Sequence, residues 1–185
     1  MSHLFNIRVV FNGNFVPTFF KYNIGELTME AITKSINITS AVEHLFDEEI
    51  RLIGITEFGV SWDELVSGKA EIPTQGARFN IEFEGKVFGD SINGDIRGID
   101  YLYVRSDGKF ELNIQASILT DDGVMIHVQE SGSSRIMYEG IAQLNLTLNF
   151  STSSPEYEWI NTKQVWGVGL VDMIRGNVSM KCYSN

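Results

Sequence analysis

The sequence predicts an all-β, antiparallel fold, and three observations carry that prediction. From residue 77 onward the dominant hydrophobic period is two, the mark of strands with one apolar and one polar face. Glycine is plentiful at 17 residues and proline scarce at 3, which suits a chain that turns often and tightly. The alternating runs are short and separated by glycine-bearing turns, the spacing of a sandwich or an up-and-down barrel.

Each run supports this in turn. In ARFNIEFEGKVFG, Phe79, Ile81 and Phe83 oppose Asn80, Glu82 and Glu84. IDYLYVRSDG runs into a turn at Asp107-Gly108, and KFELNIQASIL sets Leu112, Ile114, Ala116 and Ile118 against Glu111, Asn113, Gln115 and Ser117. GVMIHVQE places Val124, Ile126 and Val128 opposite Met125, His127 and Gln129. QLNLTLNFS opposes Leu144, Leu146, Leu148 and Phe150 to Asn145, Thr147 and Asn149. YEWINTKQVWGVG and NVSMKCYS keep the rhythm, and LFNIRVVFNGNFV reads as a first strand.

Residues 24 to 69 read differently. Leu27, Ala31, Ile32 and Ile36 recur at helical spacing, Ser40 followed by Glu43 resembles a capping box at AVEHLF, and SWDELVSG fits a third short helix ending at Gly68. The expected organisation is one domain over residues 1–185, interrupted by a helical insert at 24–69 that acts as a lid or an interface.

The 185 residues and 43% hydrophobic content are those of a globular domain. A net charge of −10 with no basic run disfavours nucleic acid and anionic membrane surfaces as partners. One cysteine, Cys182, and three scattered histidines give neither a disulfide nor a Cys/His zinc cluster, and no stretch is long and apolar enough to span a membrane. The expectation is a cytoplasmic protein with no metal and no cofactor.

The stretch GDIRGIDYLYVRSDGKFELNIQASILTDDGVMIHVQESG, with SPEYEWINTKQVWGVG, resembles the DUF3237 family of uncharacterised bacterial and fungal proteins, also known as UPF0311. The matching features are the Gly-rich turn and Asp at Gly98 to Asp100, "RSDG" at Arg105 to Gly108, the polar-faced strand ending in "TDDG" at Gly123, and the strand from Ile126 to Gly132. Further on, Phe150 to Thr152, Tyr157 to Asn161 and Val165 to Gly169 match as well. The resemblance covers residues 77 to 185. It implies a closed or nearly closed antiparallel β-barrel of the calycin or lipocalin kind, association as a dimer or higher homo-oligomer, and no established activity. Asn113 and Gln115 stand where the family commonly has Asp and Arg, and Ser151 stands where Glu is common, so this chain is neutral at three positions charged elsewhere.

Asp121-Asp122-Gly123 between two alternating runs is first of all turn chemistry, since Asp hydrogen-bonds its own backbone and Gly takes positive φ. No nucleophile elbow, GxGxxG before a helix, or HExxH occurs. The remaining candidates lie on the polar faces. Were those faces to line a barrel interior, Tyr103, Arg105, Glu111, His127, Asn149 and Trp159 would form a lumen site, with Arg105 either pairing with Glu111 or fixing a ligand carboxylate. The functional expectation is therefore small-molecule binding in the lumen, with a non-catalytic oligomeric scaffold as the alternative. Cavity size separates the two: the ~300–1,000 Å³ common for ligand sites favours binding, and a filled barrel favours the scaffold.

Overall fold

The computed structural model describes residues 9–11, 14–16, 42–138 and 140–185. They fall in two units, Met1–Ala41 and Val42–Asn185. In the first, β1 (Val9–Phe11) and β2 (Asn14–Val16) form a two-stranded antiparallel hairpin within the expected first strand. The helix expected from Leu27 to Ile36 lies outside the described residues.

The second unit is a closed antiparallel barrel of eight strands. These are β3 (Glu43–Glu57), β4 (Ala77–Phe88), β5 (Gly94–Val104), β6 (Phe110–Thr120), β7 (Met125–Tyr138), β8 (Ile141–Ser151), β9 (Val165–Asp172) and β10 (Asn177–Ser184). Each pairs with the next in sequence, and β10 returns to pair with β3, so no barrel edge is left open. The resemblance's barrel, and not a sandwich, is the architecture.

One sequence expectation is corrected here. Residues 43 to 57, placed in the helical insert, are the longest strand of the barrel. Phe46, Glu48, Ile50 and Leu52 share the inner phase, while Asp47, Glu49 and Arg51 point outward beside Lys181, Ser179 and Glu84. Glu48 breaks the apolar phase, and this hides the alternation from a periodicity reading; the Ser40–Glu43 spacing then mimics a cap. The helix expected at SWDELVSG does form, as α1 (Trp62–Val66). Ser61 caps its first turn, and Gly68, at φ +71°, lies just beyond its end.

The apolar faces point inward. Because directly paired residues in an antiparallel ladder lie on the same side of the sheet, the register Ile81–Asp100–Ile114–Glu130–Leu148–Val165 runs as one inner row across six strands. Two hydrophobic plugs close the ends. At one, Trp62 of α1 packs edge-to-face on Phe79, centroids 5.1 Å apart, among Leu65, Leu102, Phe110, Ala142 and Met173. At the other, Ile92 from the β4–β5 turn and Ile160 from a 3-10 turn (Glu158–Thr162) fill the mouth with Phe46 and Phe150.

Trp62 is the largest side chain of the α1 plug, and its backbone N–H donates to Glu57 Oε1 at 2.7 Å. Truncation to alanine removes the ring from a closed interior, so Trp62→Ala is expected to cost about 3–5 kcal/mol, read as a lower urea midpoint at unchanged slope.

Candidate functional site

The motif residues outside the barrel prove to be braces. In the β6–β7 hairpin, Gly123 takes φ +90°, Thr120 and Tyr157 donate hydroxyl hydrogen bonds to Asp122 Oδ1, and Thr120 Oγ1 accepts from the Val124 amide. The Thr120 hydroxyl, and then the Tyr157 hydroxyl, hold the Asp122 carboxyl below its ordinary range. Asn161 receives the Thr152 N–H at 2.9 Å and donates to its carbonyl at 2.8 Å. The TDDG and YEWIN segments therefore tie a hairpin to the 3-10 turn that carries Ile160 into the core.

The residues expected to line the lumen do not do so. Arg105 lies at the β5–β6 turn, partly exposed, and donates to Asp107 at 2.8 Å and Glu111 at 3.2 Å across the hairpin. Tyr103 stacks under the Arg78 guanidinium at 4.5 Å and donates to the Gln75 carbonyl. His127 stands on the outer face of β7, its Nε2 3.2 Å from Gln115 Oε1, and Asn149 is exposed opposite Gln129 on β8. Trp159 packs against the core from the 3-10 turn at one end. Of the six, Arg105, Glu111 and Tyr103 are brought together, Glu111 being bonded to Arg105 and lying opposite Tyr103 on the β5–β6 ladder. The physical reason is that a closed barrel of eight strands has just enough interior for the larger set of apolar side chains, so the mixed polar faces go to water.

Between the two plugs lies a cavity of about 80 Å³. Its wall is mostly apolar, including Ile81, Leu102, Phe110, Leu144 and Trp62, but three carboxyl groups face it: Glu48 on β3, Asp100 on β5 and Glu130 on β7, with Ser134 further along β7. Among the described residues that line it there is no lysine, arginine or histidine. Asp100 and Glu130 belong to the same inner row, with Ile114 of β6 between them, so their backbones are roughly 9–10 Å apart at the usual strand spacing.

These acids are poorly satisfied. Asp100 Oδ1 accepts the Asn113 N–H at 3.0 Å, and Glu48 Oε1 has only the Cys182 thiol at 4.0 Å. Glu48 Oε2 and Glu130 Oε1 have no hydrogen-bond partner among the described residues, although Glu48 is fully buried and Glu130 is 2% exposed. Burial pushes the Asp100 carboxyl up to about 7 against the pull of the Asn113 amide. Burial raises Glu130 further, helped by the Asp100 charge, and raises Glu48 well above the carboxylate range, helped by Glu130. The thiol of Cys182 is likewise pushed up by burial and then by Glu48, which makes it an inert core group.

None of the three acids was among the site residues expected from the sequence, where Asp100 figured only in the family resemblance, yet each carries a signal there. Asp100 continues the phase of Leu102 and Val104, Glu130 that of Ile126 and Val128, and Glu48 that of Ile50 and Leu52. A carboxyl in step with an apolar face is either mispatterned or placed for use.

A closed barrel with an acid-lined, largely apolar cavity is the class of protein that fold and site define. The chain belongs to the DUF3237 family, described as proteins of unknown function, whose profile matches residues 61–184. It is 29% identical over 116 residues to a UPF0311 protein of Clostridium acetobutylicum, an alignment that covers 55% of this chain and 68% of that relative. Its fold matches a β-barrel-like protein from Acinetobacter baumannii with a TM-score of 0.64 at 24% identity, covering 78% of this chain and 94% of that one. It also matches an enzyme from Penicillium herquei with a TM-score of 0.57 at 19% identity, covering 78% and 92%.

The shift at Asp100 has a stability consequence. Its folded pKa of about 7 lies above the unfolded value of 3.8, so between these values the folded state holds more protons. The stabilisation is complete below pH 3.8 and is lost as pH rises through 7. Asp100→Asn, which keeps an oxygen for the Asn113 N–H, is expected to flatten the fall in unfolding free energy over that window, as read by urea titrations at stepped pH.

Proposed function

We propose that the barrel interior binds a compact, uncharged small molecule, held by the inward carboxyl groups and the surrounding apolar wall. One observation carries this reading: two buried carboxyl oxygens, Glu48 Oε2 and Glu130 Oε1, border a cavity and have no partner among the described residues. Each such group costs about 1–3 kcal/mol when left unsatisfied, so a partner entering the cavity recovers part of that cost. On volume alone the lumen falls below the usual range of ligand sites and is about half the ~150 Å³ that admits a benzene ring. The ligand is accordingly small, a few non-hydrogen atoms in this conformation. That the Penicillium herquei protein of this fold is an enzyme makes the barrel compatible with catalysis.

The test is methyl-labelled NMR of the intact protein against a set of neutral ketones, alcohols and amides of three to five heavy atoms. Shifts concentrated on Ile81, Leu102 and Leu144, and abolished by Ser134→Leu, which fills the cavity, are the expected outcome. If no compound moves those methyls, the lumen is not a binding site.

Self-association is a second reading with its own support. Leu170 of β9, Ile174 of the β9–β10 turn, and Ile136 and Tyr138 at the end of β7 are exposed apolar side chains on the two strands that flank β8. On this reading the protein is a homo-oligomer, and the double substitution Leu170→Glu, Ile174→Glu reduces its mass in light scattering to that of a monomer. A wild-type protein that is already monomeric at 100 micromolar, on the order of the concentration at which weak contacts form, removes the reading.

A further inference from the structure

We infer that the cavity is an acid–base site in which Asp100 and Glu130, facing each other across Ile114, move protons on a small neutral carbonyl compound. The inference rests on the binding reading above and adds a substrate class and two roles. Its footing is geometric. The two carboxyl groups stand on the inner row of β5 and β7 with the inward side chain of Ile114 on the strand between them, and all three border the one cavity, which takes a ligand of a few atoms. They are not equivalent: Asp100 is tethered by the Asn113 N–H, while Glu130 has a free oxygen aimed into the cavity.

The environments separate their protonation. The Asn113 amide favours an ionised Asp100, whereas Glu130 receives no such donor on Oε1 and is faced by Asp100 and Glu48, with no cation on the wall to offset them. A pair of carboxyls pushed apart in this way supplies a base and an acid at one pH. Asp100 takes the proton from the carbon next to the carbonyl; the C–H electron pair becomes the new C=C bond. The carbonyl oxygen takes the proton of Glu130, so the enol is neutral and the single negative charge has passed from Asp100 to Glu130. Reversal returns a proton to carbon, at the same position or an adjacent one.

A cationic ligand fits less well. It would have to ionise Glu130 and Glu48 and surrender its own hydration in a mostly apolar cavity, whereas a carbonyl oxygen accepts from an acid that is already protonated. Glu48, on the same cavity wall as Glu130, acts as a positioning residue, its neutral acid limiting the charge that builds up there.

The probe is acetone in D2O, with two readouts on the same sample: shifts of the cavity methyls report binding, and loss of the acetone proton signal reports exchange. The expected result is exchange faster than buffer alone, lowered on the order of 100-fold by Asp100→Asn and by Glu130→Gln. His127→Ala, on the outer surface, leaves it unchanged. Both acid substitutions are near-isosteric, and their melting curves confirm folding. Glu48→Gln shifts the pH profile of exchange without abolishing it. If acetone moves the cavity methyls but exchanges at the buffer rate, the acid–base inference falls and the binding reading stands. If acetone leaves the methyls unmoved, the acid–base inference falls, and the binding reading falls with it only when the alcohols and amides of the wider set leave them unmoved as well.

Discussion

The desolvation of three carboxyl groups inside a closed sheet is the constraint on which the rest of the structure turns. An acid is tolerable in an apolar interior only if it is neutral, hydrogen-bonded or paired. Glu48 and Glu130 have little of the last two, and Asp100 has one backbone amide. Neutrality near ordinary pH is the remaining route, and it depends on keeping water and counter-charges out. The closed register from β3 through β10, and the plugs built on Trp62 and Ile160, do that. Loosening either plug would rehydrate the acids as much as it would cost hydrophobic contacts.

The outer surface works under the opposite rule. Its ion pairs, such as Arg51 with Glu84, Lys86 with Asp95 and Arg105 with Asp107, are well solvated, so each contributes little to stability. Their effect is on geometry: they fix hairpin turns and cross-strand register. The hydroxyls and amides of Thr120, Tyr157 and Asn161 do the same for the end closed by Ile160. Most of the sequence features that mark this family thus shape the container, while Asp100, which is one of them, lies inside it with Glu48 and Glu130.

The split explains what could be read from the chain alone. Alternation located β4 to β8 and the inward set Phe79, Ile81, Phe83, Leu144, Leu146 and Leu148, because each strand has one face committed to the core. It could not decide closure, since strand order leaves no trace in periodicity. It also misplaced β3, where Glu48 interrupts the inner phase, and the expected lumen residues were drawn from the polar faces, which the barrel turns outward. The polar faces drew attention because they are rich in hydrogen-bonding groups, but a residue's environment follows the phase of its neighbours. Arg105 and His127 are in phase with polar residues and are solvated; Asp100 and Glu130 are in phase with Leu102 and Val128 and are buried.

Such a phase violation bears on function as well as fold. Leucine or methionine at positions 48, 100 and 130 would fill the lumen, remove the unsatisfied oxygens and, on the record of buried polar groups replaced by apolar ones, leave the barrel no less stable. The acids are therefore not explained by folding, and neither do they form a compensated network that would fix register, because two of the three have unpartnered oxygens. A void of about 80 Å³ beside those oxygens is the complementary half of the same arrangement: polar capacity and space are left open at one point in an otherwise packed interior. Proteins carry local departures from good packing and polar satisfaction where a ligand or a reaction requires them, and this interior has both departures in one place.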